Sequence, residues 1–375
     1  MRILQVCSAR TIGGGERHVA ALANALTERG HQIYVVVAPG SPVTAELSSV
    51  PPENVITLRM RNAFDVPSAL KLARIIREQK IDIVHAHLAR DYPMASLAVR
   101  RYAQLVVTRH VLFPLNRLHR FTLSRVGRLI AVSNAVVRRL QEQRLCDKRK
   151  IQLIPNGIDL TRFEEPFSEA ARASVREQLG VGKSLLVGAV GSFLPIKGHE
   201  DFVRAAGIIT SGRNDVDFVI VGDDDARNRN HRMFLERLIS ELDLKGSVHL
   251  INWSGDLSQF YRALDVYVST SHSEAFGLSI VEAMAAGRAV VATATEGAKE
   301  TLEDGTTGIL VPIRDVEKTA EAIIGLLNNS SERSRQGLRA GEDARHRFDL
   351  EKMVDATEQV YVDALAAKRR IEFNL

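Results

Sequence analysis

The sequence predicts an α/β fold made of two Rossmann-like, doubly wound domains. Short β-branched and aliphatic runs alternate with amphipathic stretches at helical spacing, which is the pattern of parallel sheets covered by helices. The alternation pauses in a polar segment after residue 154 and begins again near residue 184. With 375 residues the chain is long enough for two domains. We expect ligands to bind in a deep cleft between them, beyond the carboxyl ends of the strands.

The elements are predicted in the following order. In the first domain, residues 1–165, six short apolar runs are predicted to be strands: 3–7, 33–38, 81–85, 105–108, 129–132 and 151–154. Apolar residues at helical spacing predict helices between them, as at 16–29 and 66–79. In the second domain, residues 166–349, six more strands are predicted: 184–191, 218–221, 248–251, 266–269, 289–292 and 308–311. The last segment, 350–375, is predicted to be a helix that packs back toward the first domain.

The composition excludes several classes of protein. Hydrophobic residues make up 45% of the chain and charged residues 25%, as in ordinary globular proteins. No stretch approaches the roughly 20 apolar residues that are needed to cross a bilayer, and the apolar N-terminal stretch is too short for a secretory signal. The only two cysteines, Cys7 and Cys146, do not suggest a disulfide framework. We therefore expect a cytoplasmic protein.

The charge is distributed unevenly. The net charge is +5, but residues 1–165 contain 25 Lys and Arg against 13 Asp and Glu, whereas the remainder contains 25 against 32. Most of the basic excess lies at 100–150, where 13 basic residues face only Glu142 and Asp147. One face of the first domain is therefore expected to attract anions.

Glycine-containing loops follow the first strand of each domain. Residues 11–18, Thr-Ile-Gly-Gly-Gly-Glu-Arg-His, open the first helix, where backbone N–H groups can approach a phosphate. A plain tight turn explains the triple glycine equally well. The spacing Gly-x-Gly-x-x-Gly is absent, which argues against nicotinamide or flavin binding. In the second domain, Lys197 follows its first strand, between Pro195 and Gly198; it is predicted either to bind phosphate or to be an exposed lysine.

Two glutamates, Glu274 and Glu282, flank a predicted helix start. Eight residues on one helix leave two side chains about 80° apart, so a single helix would not direct both at one point. Gly277 instead predicts a helix that begins near Leu278, with Glu274 in the entry loop and Glu282 in the second turn. The free N–H groups of a helix start favour an anion, and two carboxylates favour sugar hydroxyls. The alternative is that Glu274 caps the helix and Glu282 is solvated.

Histidines and a run of aspartates are weaker candidates. His85 and His87 end one predicted strand and His110 follows the next, so His87 and His110 are predicted to lie at carboxyl ends; a structural, hydrogen-bonded histidine is the alternative. Asp223 to Asp225 form a run that we interpret as a solvated loop rather than a magnesium site, because adjacent side chains point in different directions. No metal site is predicted.

In this order the motifs resemble those of the retaining glycosyltransferases of family 4, also called group 1, which have the GT-B fold. The resemblance extends from Arg2 to about Arg347. Its motifs are Gly-Gly-Gly-Glu-Arg at 13–17, Ile-Pro-Asn-Gly-Ile-Asp at 154–159, Lys-Gly at 197–198, Val-Gly at 221–222 and, above all, the segment 274–291. The resemblance implies an enzyme that moves a sugar from a UDP-, GDP- or ADP-linked donor to a hydroxyl acceptor, with retained configuration and without a metal or another cofactor.

The resemblance also implies roles for the matching residues. The catalytic residues would be His110, near the anomeric centre, Glu274, which would hold hydroxyls of the donor sugar, and Lys197, which would bind the diphosphate. Glu282 would bind the ribose. The backbone would contact the donor at Gly14, Gly15, Ala275, Phe276, Gly277 and Leu278. One position departs from the family pattern, because Ser192 occupies the place of the usual arginine and carries no charge.

The resemblance implies that the first domain largely handles the acceptor, and together with the segment described next this suits a lipid-linked or cell-envelope glycan as acceptor. Residues 112–128 mix apolar residues with arginines, which suits a peripheral enzyme on the inner face of the cytoplasmic membrane; a solvated helix without a partner is the alternative. Nucleic acid is not expected, since only Phe113 and Phe121 between 104 and 150 offer stacking aromatics. Two other functions are left open: a nucleotide-sugar epimerase, and a non-catalytic GT-B subunit, which Ser192 would favour.

Overall fold

The computed structural model describes residues 1–61, 65–183, 185–222, 230–253 and 256–373, with side chains described to residue 367. The chain divides into two compact units. The first unit comprises Met1–Gly157 together with the C-terminal helix, and the second comprises Ile158–Asp349. Each unit has its own sheet and its own apolar core.

The strands alternate with helices along the whole chain. In order, the strands are β1 Arg2–Cys7, β2 Gln32–Val37, β3 Val55–Thr57, β4 Ile83–Ala86, β5 Gln104–Arg109, β6 Arg128–Ala131, β7 Ile151–Leu153, β8 Leu185–Val190, β9 Val216–Val221, β10 Val248–Ile251, β11 Val266–Ser269, β12 Ala289–Thr293 and β13 Ile309–Val311. The helices are α1 Gly14–Glu28, α2 Val66–Glu78, α3 Tyr92–Val99, α4 His119–Ser124, α5 Asn134–Gln143, α6 Glu169–Gln178, α7 His199–Thr210, α8 Asn230–Glu241, α9 Leu257–Ala263, α10 Leu278–Ala285, α11 Glu296–Thr301, α12 Val316–Asn328, α13 Ser330–Arg347 and α14 Leu350–Phe373.

Both sheets are parallel and doubly wound, which confirms the predicted fold class. The order is β3-β2-β1-β4-β5-β6-β7 in the first unit and β10-β9-β8-β11-β12-β13 in the second. The direction of winding therefore reverses between β1 and β4 and between β8 and β11. In such sheets the crevice outside the carboxyl ends of the strands at this reversal is where ligands bind. Ligand-binding residues are therefore expected directly after β1, β4, β8 and β11.

The C-terminal helix α14 belongs to the first unit. Tyr361 of α14 is fully buried in the core that contains strand β1. On the surface, Arg29 at the end of α1 forms ion pairs with Glu351, Asp355 and Glu358 of the same helix. Burial and charge together attach α14 to the fold of residues 1–157.

The division between the units falls eight residues before the predicted domain boundary at 165/166. Ile158 N–H donates to Phe348 O at 2.8 Å, and Ile158 also forms an isolated β-bridge with Asp349. These contacts attach residues 158–165 to the second unit. The partners Ile158 and Phe348 are 190 positions apart in sequence, so no local pattern could predict their contact.

The aspartate run, the two cysteines and the hydropathy of the helices were also subjects of prediction. Asp223 to Asp225 lie outside the described residues, as does Ser184 at the start of the strand predicted for 184–191. Both Cys7 and Cys146 are free. None of the described helices combines the length and the hydropathy that crossing a bilayer requires.

Candidate active site

The candidate site in the second unit is formed by two loops at the reversal of the sheet. The loop after β8 ends in a single 3-10 turn, Pro195–Lys197, and the loop after β11 leads to α10. The N–H of His272 donates to Ile196 O at 2.8 Å, and the Thr270 hydroxyl donates to Lys197 O at 3.3 Å. Because β8 and β11 are neighbours, these bonds hold the two loops side by side.

Lys197 and Glu274, one from each loop, are in direct contact. The Nζ of Lys197 donates to Oε2 of Glu274 at 2.8 Å, and both side chains are about one quarter exposed. A mostly buried ion pair at the carboxyl end of a sheet offers one cationic and one anionic group to the same ligand. This contact was not predicted, although both residues were.

The start of helix α10 lies just beyond Glu274. Gly277 has φ +95°, a left-handed conformation that glycine adopts at little cost, and it forms the N-cap of α10 at Leu278 as predicted. No group in the described parts of the chain accepts from the backbone N–H groups of Ala275, Phe276, Gly277 and Leu278. Four consecutive free N–H groups at the positive end of a helix favour an anion.

Glu282 lies on α10 and is held by a tyrosine. The hydroxyl of Tyr261, on α9, donates to Oε2 of Glu282 at 2.7 Å. Tyr267 lies nearby: burial raises the pKa of Tyr267, and the carboxylates of Glu282 and Glu274 raise it further. Both glutamates therefore act electrostatically on one buried hydroxyl, so the helix start brings their charges into the same region.

A basic side chain lies close to Ser192, the position that departs from the family pattern. The guanidinium of Arg232 lies over the ring of Phe193, 5.3 Å from its centroid. Its nitrogens bind Glu236, Asn252 Oδ1 and the carbonyl of Leu250. Arg232 is thus occupied within the fold, which leaves Lys197 as the cation of this loop.

In the first unit, the predicted residues follow strands at the reversal of the sheet, β1 and β4, and the adjacent strand β5. Gly14 is the first residue of α1, and a Cβ on Gly15 would lie 3.4 Å from Cγ of His110, so backbone and imidazole are in contact. His110 directly follows β5, and His87 directly follows β4. Nδ1 of His87 lies 3.4 Å from Nε2 of His110. The structure thus brings together Gly15, His87 and His110.

Burial controls the charge of these histidines. It lowers the pKa of His85, His87 and His110 well below the ordinary value, and it lowers the pKa of His18 to about 4. The imidazoles are therefore neutral at physiological pH. Nitrogens of His18, His87 and His110 lie within 4.8 Å of one another, so this is the group in the described chain that could hold a metal ion.

Sequence reasoning missed several residues that support the site. Tyr261, Thr270 and His272 position the predicted glutamates and Lys197, and His272 itself pairs with Asp201 at 2.7 Å. His18 was passed over because a histidine in the first helix carries no local signal of burial. The position after a strand was the one available signal, and it applies to Thr270 and His272.

Comparison with known proteins identifies two matching families. The family described as glycosyl transferases group 1 matches residues 172–343, and the one described as glycosyltransferase family 4 matches residues 12–162. The two matches cover most of the second and first units.

Individual relatives match over nearly their whole length. The chain is 26% identical to N-acetyl-alpha-D-glucosaminyl L-malate synthase of Bacillus anthracis, over 95% of both chains. It is 27% identical to the lipopolysaccharide core biosynthesis glycosyltransferase LpsE of Rhizobium meliloti, over 95% of this chain and 96% of LpsE. Among solved structures, HepE of Anabaena in complex with UDP and glucose has a TM-score of 0.86 at 23% identity, covering 96% of this chain and 98% of HepE.

Proposed function

Since the chain belongs to the group 1 glycosyltransferases with the GT-B fold, we propose that it transfers a sugar from a nucleotide-sugar to a hydroxyl acceptor with retained configuration. The observation that carries this proposal is the contact between Lys197 and Glu274 beside the free N–H groups at the start of α10. A cation and helix-start amides suit a diphosphate, and a carboxylate suits sugar hydroxyls. A nucleotide-sugar contains both a diphosphate and sugar hydroxyls.

The leaving diphosphate is the group that most needs stabilisation. In the proposed reaction, the bond between the anomeric carbon and the diphosphate oxygen breaks while negative charge develops on that oxygen. Lys197 and the N–H groups of 275–278 meet this charge with groups that are already oriented, which is the largest contribution in many enzymes. We propose that these groups stabilise the leaving diphosphate without a metal.

Retention follows if the acceptor attacks from the face that the diphosphate leaves. The acceptor oxygen then bonds to the anomeric carbon, and its proton passes to the departing diphosphate oxygen. Glu274, already paired with Lys197, positions the donor sugar through its hydroxyls and is not assigned as a nucleophile. His110 is assigned to the reacting centre from the first unit, as a neutral imidazole.

Recognition of the nucleotide is assigned to Glu282. Its carboxylate accepts from Tyr261 at 2.7 Å, which orients it for the ribose hydroxyls. Gly14 and Gly15 at the start of α1 are assigned to the donor diphosphate. The proposed donor nucleotide is UDP, GDP or ADP, and UDP is the first to test because HepE was solved with UDP.

The acceptor proposed is a glycan of the cell envelope, in free or lipid-linked form. LpsE, a relative over nearly its whole length, is described as a lipopolysaccharide core enzyme, which supports this class. The first unit adds a surface that suits an anionic membrane: Phe113 is 62% exposed and Phe121 75% exposed, within the basic segment 100–150. We propose a cytoplasmic enzyme that binds the inner face of the membrane peripherally.

Vesicle sedimentation tests this membrane binding. The protein is expected to pellet with phosphatidylglycerol vesicles more than with phosphatidylcholine vesicles, and Phe121→Ser is expected to reduce the difference. Leu338→Ser is the matched control, because Leu338 is 69% exposed in the second unit. Equal recovery with both kinds of vesicle would remove the membrane from the proposal without affecting sugar transfer.

Slow donor hydrolysis tests the enzymatic proposal without a known acceptor. The protein is incubated with UDP-, GDP- and ADP-sugars, and release of the nucleoside diphosphate is measured together with the anomer first formed. Release from one donor, with the α-anomer from an α-linked donor, is expected. No release from any donor, or the inverted anomer, would contradict the proposed reaction.

A further inference from the structure

A chain of buried hydrogen bonds runs through the first unit and ends at His110. Its other members are Gln5 of β1, His85 of β4, His87 directly after β4, Thr108 of β5 and Tyr361 of α14. His87 Nε2 lies 2.7 Å from Gln5 Oε1, and Gln5 Nε2 donates to the Tyr361 hydroxyl at 3.4 Å. These contacts connect the centre of the sheet with the candidate site.

The amide of Gln5 determines which nitrogen of His87 carries the proton. With the Gln5 amide in this orientation its Oε1 can only accept, so His87 Nε2 carries the proton of their bond. A neutral imidazole carries one proton, so His87 Nδ1 is a lone pair. His110 Nε2, at 3.4 Å from this lone pair, must then be the donor. By the same rule, His110 Nδ1 is left without a proton.

The other half of the chain is consistent with this direction. The Tyr361 hydroxyl, which accepts from Gln5, donates to His85 Nδ1 at 2.7 Å, and His85 Nε2 donates to Thr108 Oγ1 at 2.7 Å. The reverse direction would place a proton on His110 Nδ1, a buried atom that has no partner in the described chain. A buried N–H without an acceptor is rarer than an acceptor without a donor, so the first direction is favoured.

We propose that Gln5 and His87 are positioning residues that hold His110 as its Nε2–H tautomer, with Nδ1 as an acceptor for a substrate hydroxyl. The observation behind the second part is that buried His110 Nδ1 has no partner in the described chain, an acceptor that a substrate hydroxyl would satisfy. The substrate part rests on the proposed function, whereas the tautomer does not.

A metal ion held by His18, His87 and His110 is the competing interpretation. Their nitrogens lie within 4.8 Å of one another, close enough for one ion. Hydrogen bonds between neutral groups account for every contact of the chain from His110 to Thr108, and none of these contacts requires an ion. The proton chain is therefore favoured.

Histidine-selective nitrogen-15 NMR of the full chain tests the tautomer. In the wild type, His110 is expected to show the one-bond proton coupling at Nε2 and the downfield shift of an unprotonated nitrogen at Nδ1. Gln5→Met removes the acceptor at similar volume, and we expect His110 to give averaged shifts of two tautomers. Thr108→Val cuts the chain at its far end and should leave His110 unchanged. His199, whose Nε2 faces Gly191 O in the second unit, is the internal reference.

Three results would overturn the proposal. One is a wild-type His110 protonated at Nδ1, a measurement that needs no variant to fold. The second is a Gln5→Met protein with a dispersed amide spectrum and an unchanged His110. The third is metal in the purified protein together with metal-shifted nitrogens at His87 and His110 that EDTA reverses. A wild-type Nε2–H tautomer in a protein that transfers no sugar would instead overturn only the proposed function.

Discussion

The ammonium of Lys197 donates to the carboxylate of Glu274 at 2.8 Å, and this contact joins the loops after β8 and β11. The two residues are 77 positions apart in sequence. Each residue was predicted from its own segment, but their contact was not. A ligand phosphate that binds Lys197 must therefore share it with Glu274. Changes at either residue are therefore expected to affect the other.

Glu274→Gln is expected to separate sugar binding from nucleotide binding. The amide cannot accept hydroxyl hydrogens at both of its atoms, so kcat/KM for the nucleotide-sugar should fall by about 10-fold or more, as for a lost bond to a charged group. Affinity for the free nucleoside diphosphate should be unchanged or higher, since Lys197 loses its charged partner. Calorimetric titration measures the affinity, and initial rates measure kcat/KM. A matching loss of both would contradict the assignment of Glu274 to the sugar.

Tyr261→Phe is expected to weaken nucleotide binding through Glu282. The substitution removes the hydroxyl that donates to Oε2 at 2.7 Å and leaves the ring. Because the lost bond only orients Glu282 and does not itself contact the nucleotide, we expect less than the about 1.5 to 3 kcal/mol of a direct bond to a charged group, so the Kd should rise by roughly 2- to 12-fold. Tyr102→Phe, at a largely exposed tyrosine in the first unit, is the control. The idea fails if Glu282→Gln lowers affinity while Tyr261→Phe has no effect.

Gly198→Ala is expected to disrupt the loop that carries Lys197. Gly198 has φ +62°, and a Cβ would lie 2.0 Å from Thr270 O, so strain and a backbone clash add together. We expect the free energy of unfolding to fall by about 1 to 3 kcal/mol and nucleotide affinity to fall with it. Gly182→Ala has open space around the new methyl group and should change neither. Urea unfolding and calorimetry check both quantities, and equal stabilities of the two variants would contradict the expectation.

The buried histidines are expected to make the protein sensitive to acid. Burial lowers the pKa of His18 to about 4, whereas an unfolded chain has the ordinary value of about 6.5. Between these values the unfolded state binds more protons, so the free energy of unfolding rises with pH and is lost as pH falls from about 6.5 toward 4. Each such histidine adds a slope of up to about 1.4 kcal/mol per pH unit.

Urea unfolding between pH 5 and 7 measures this slope. His18→Gln should reduce the slope by up to about 1.4 kcal/mol per pH unit, whatever its effect on the free energy of unfolding at pH 7. His346→Gln, at an exposed position, is the matched control. An unchanged slope in His18→Gln would show that His18 is protonated equally in both states.

The positions of most strands along the chain could be predicted because most strands are short runs rich in aliphatic residues. Strand β3, Val55–Thr57, was not predicted; it is three residues long, partly buried and at the edge of its sheet, as are β7 and β13, which were predicted. The start of α10 could be predicted from Gly277, because its conformation is a local property of the chain.

The contacts within the sites could not be predicted in the same way. The burial that lowers the pKa of His18 exists only in the folded protein, and the contacts of Gln5 with Tyr361 and His87 form only on folding. Such partners are 80 to 360 residues apart, and nothing local indicates the distance between them. The roles of Lys197, Glu274, Glu282 and His110 remain predictions that the variants above test.

Binding of nucleoside diphosphates by Lys197→Ala tests the central claim most directly. Wild-type protein should bind one of UDP, GDP or ADP in calorimetric titration, and Lys197→Ala should weaken that binding by about 10- to 150-fold, the loss of one charge-assisted contact. Lys299→Ala, an exposed lysine of the same unit that pairs with Glu296, should bind like the wild type. Equal affinity of Lys197→Ala and Lys299→Ala for the preferred nucleotide would contradict the account.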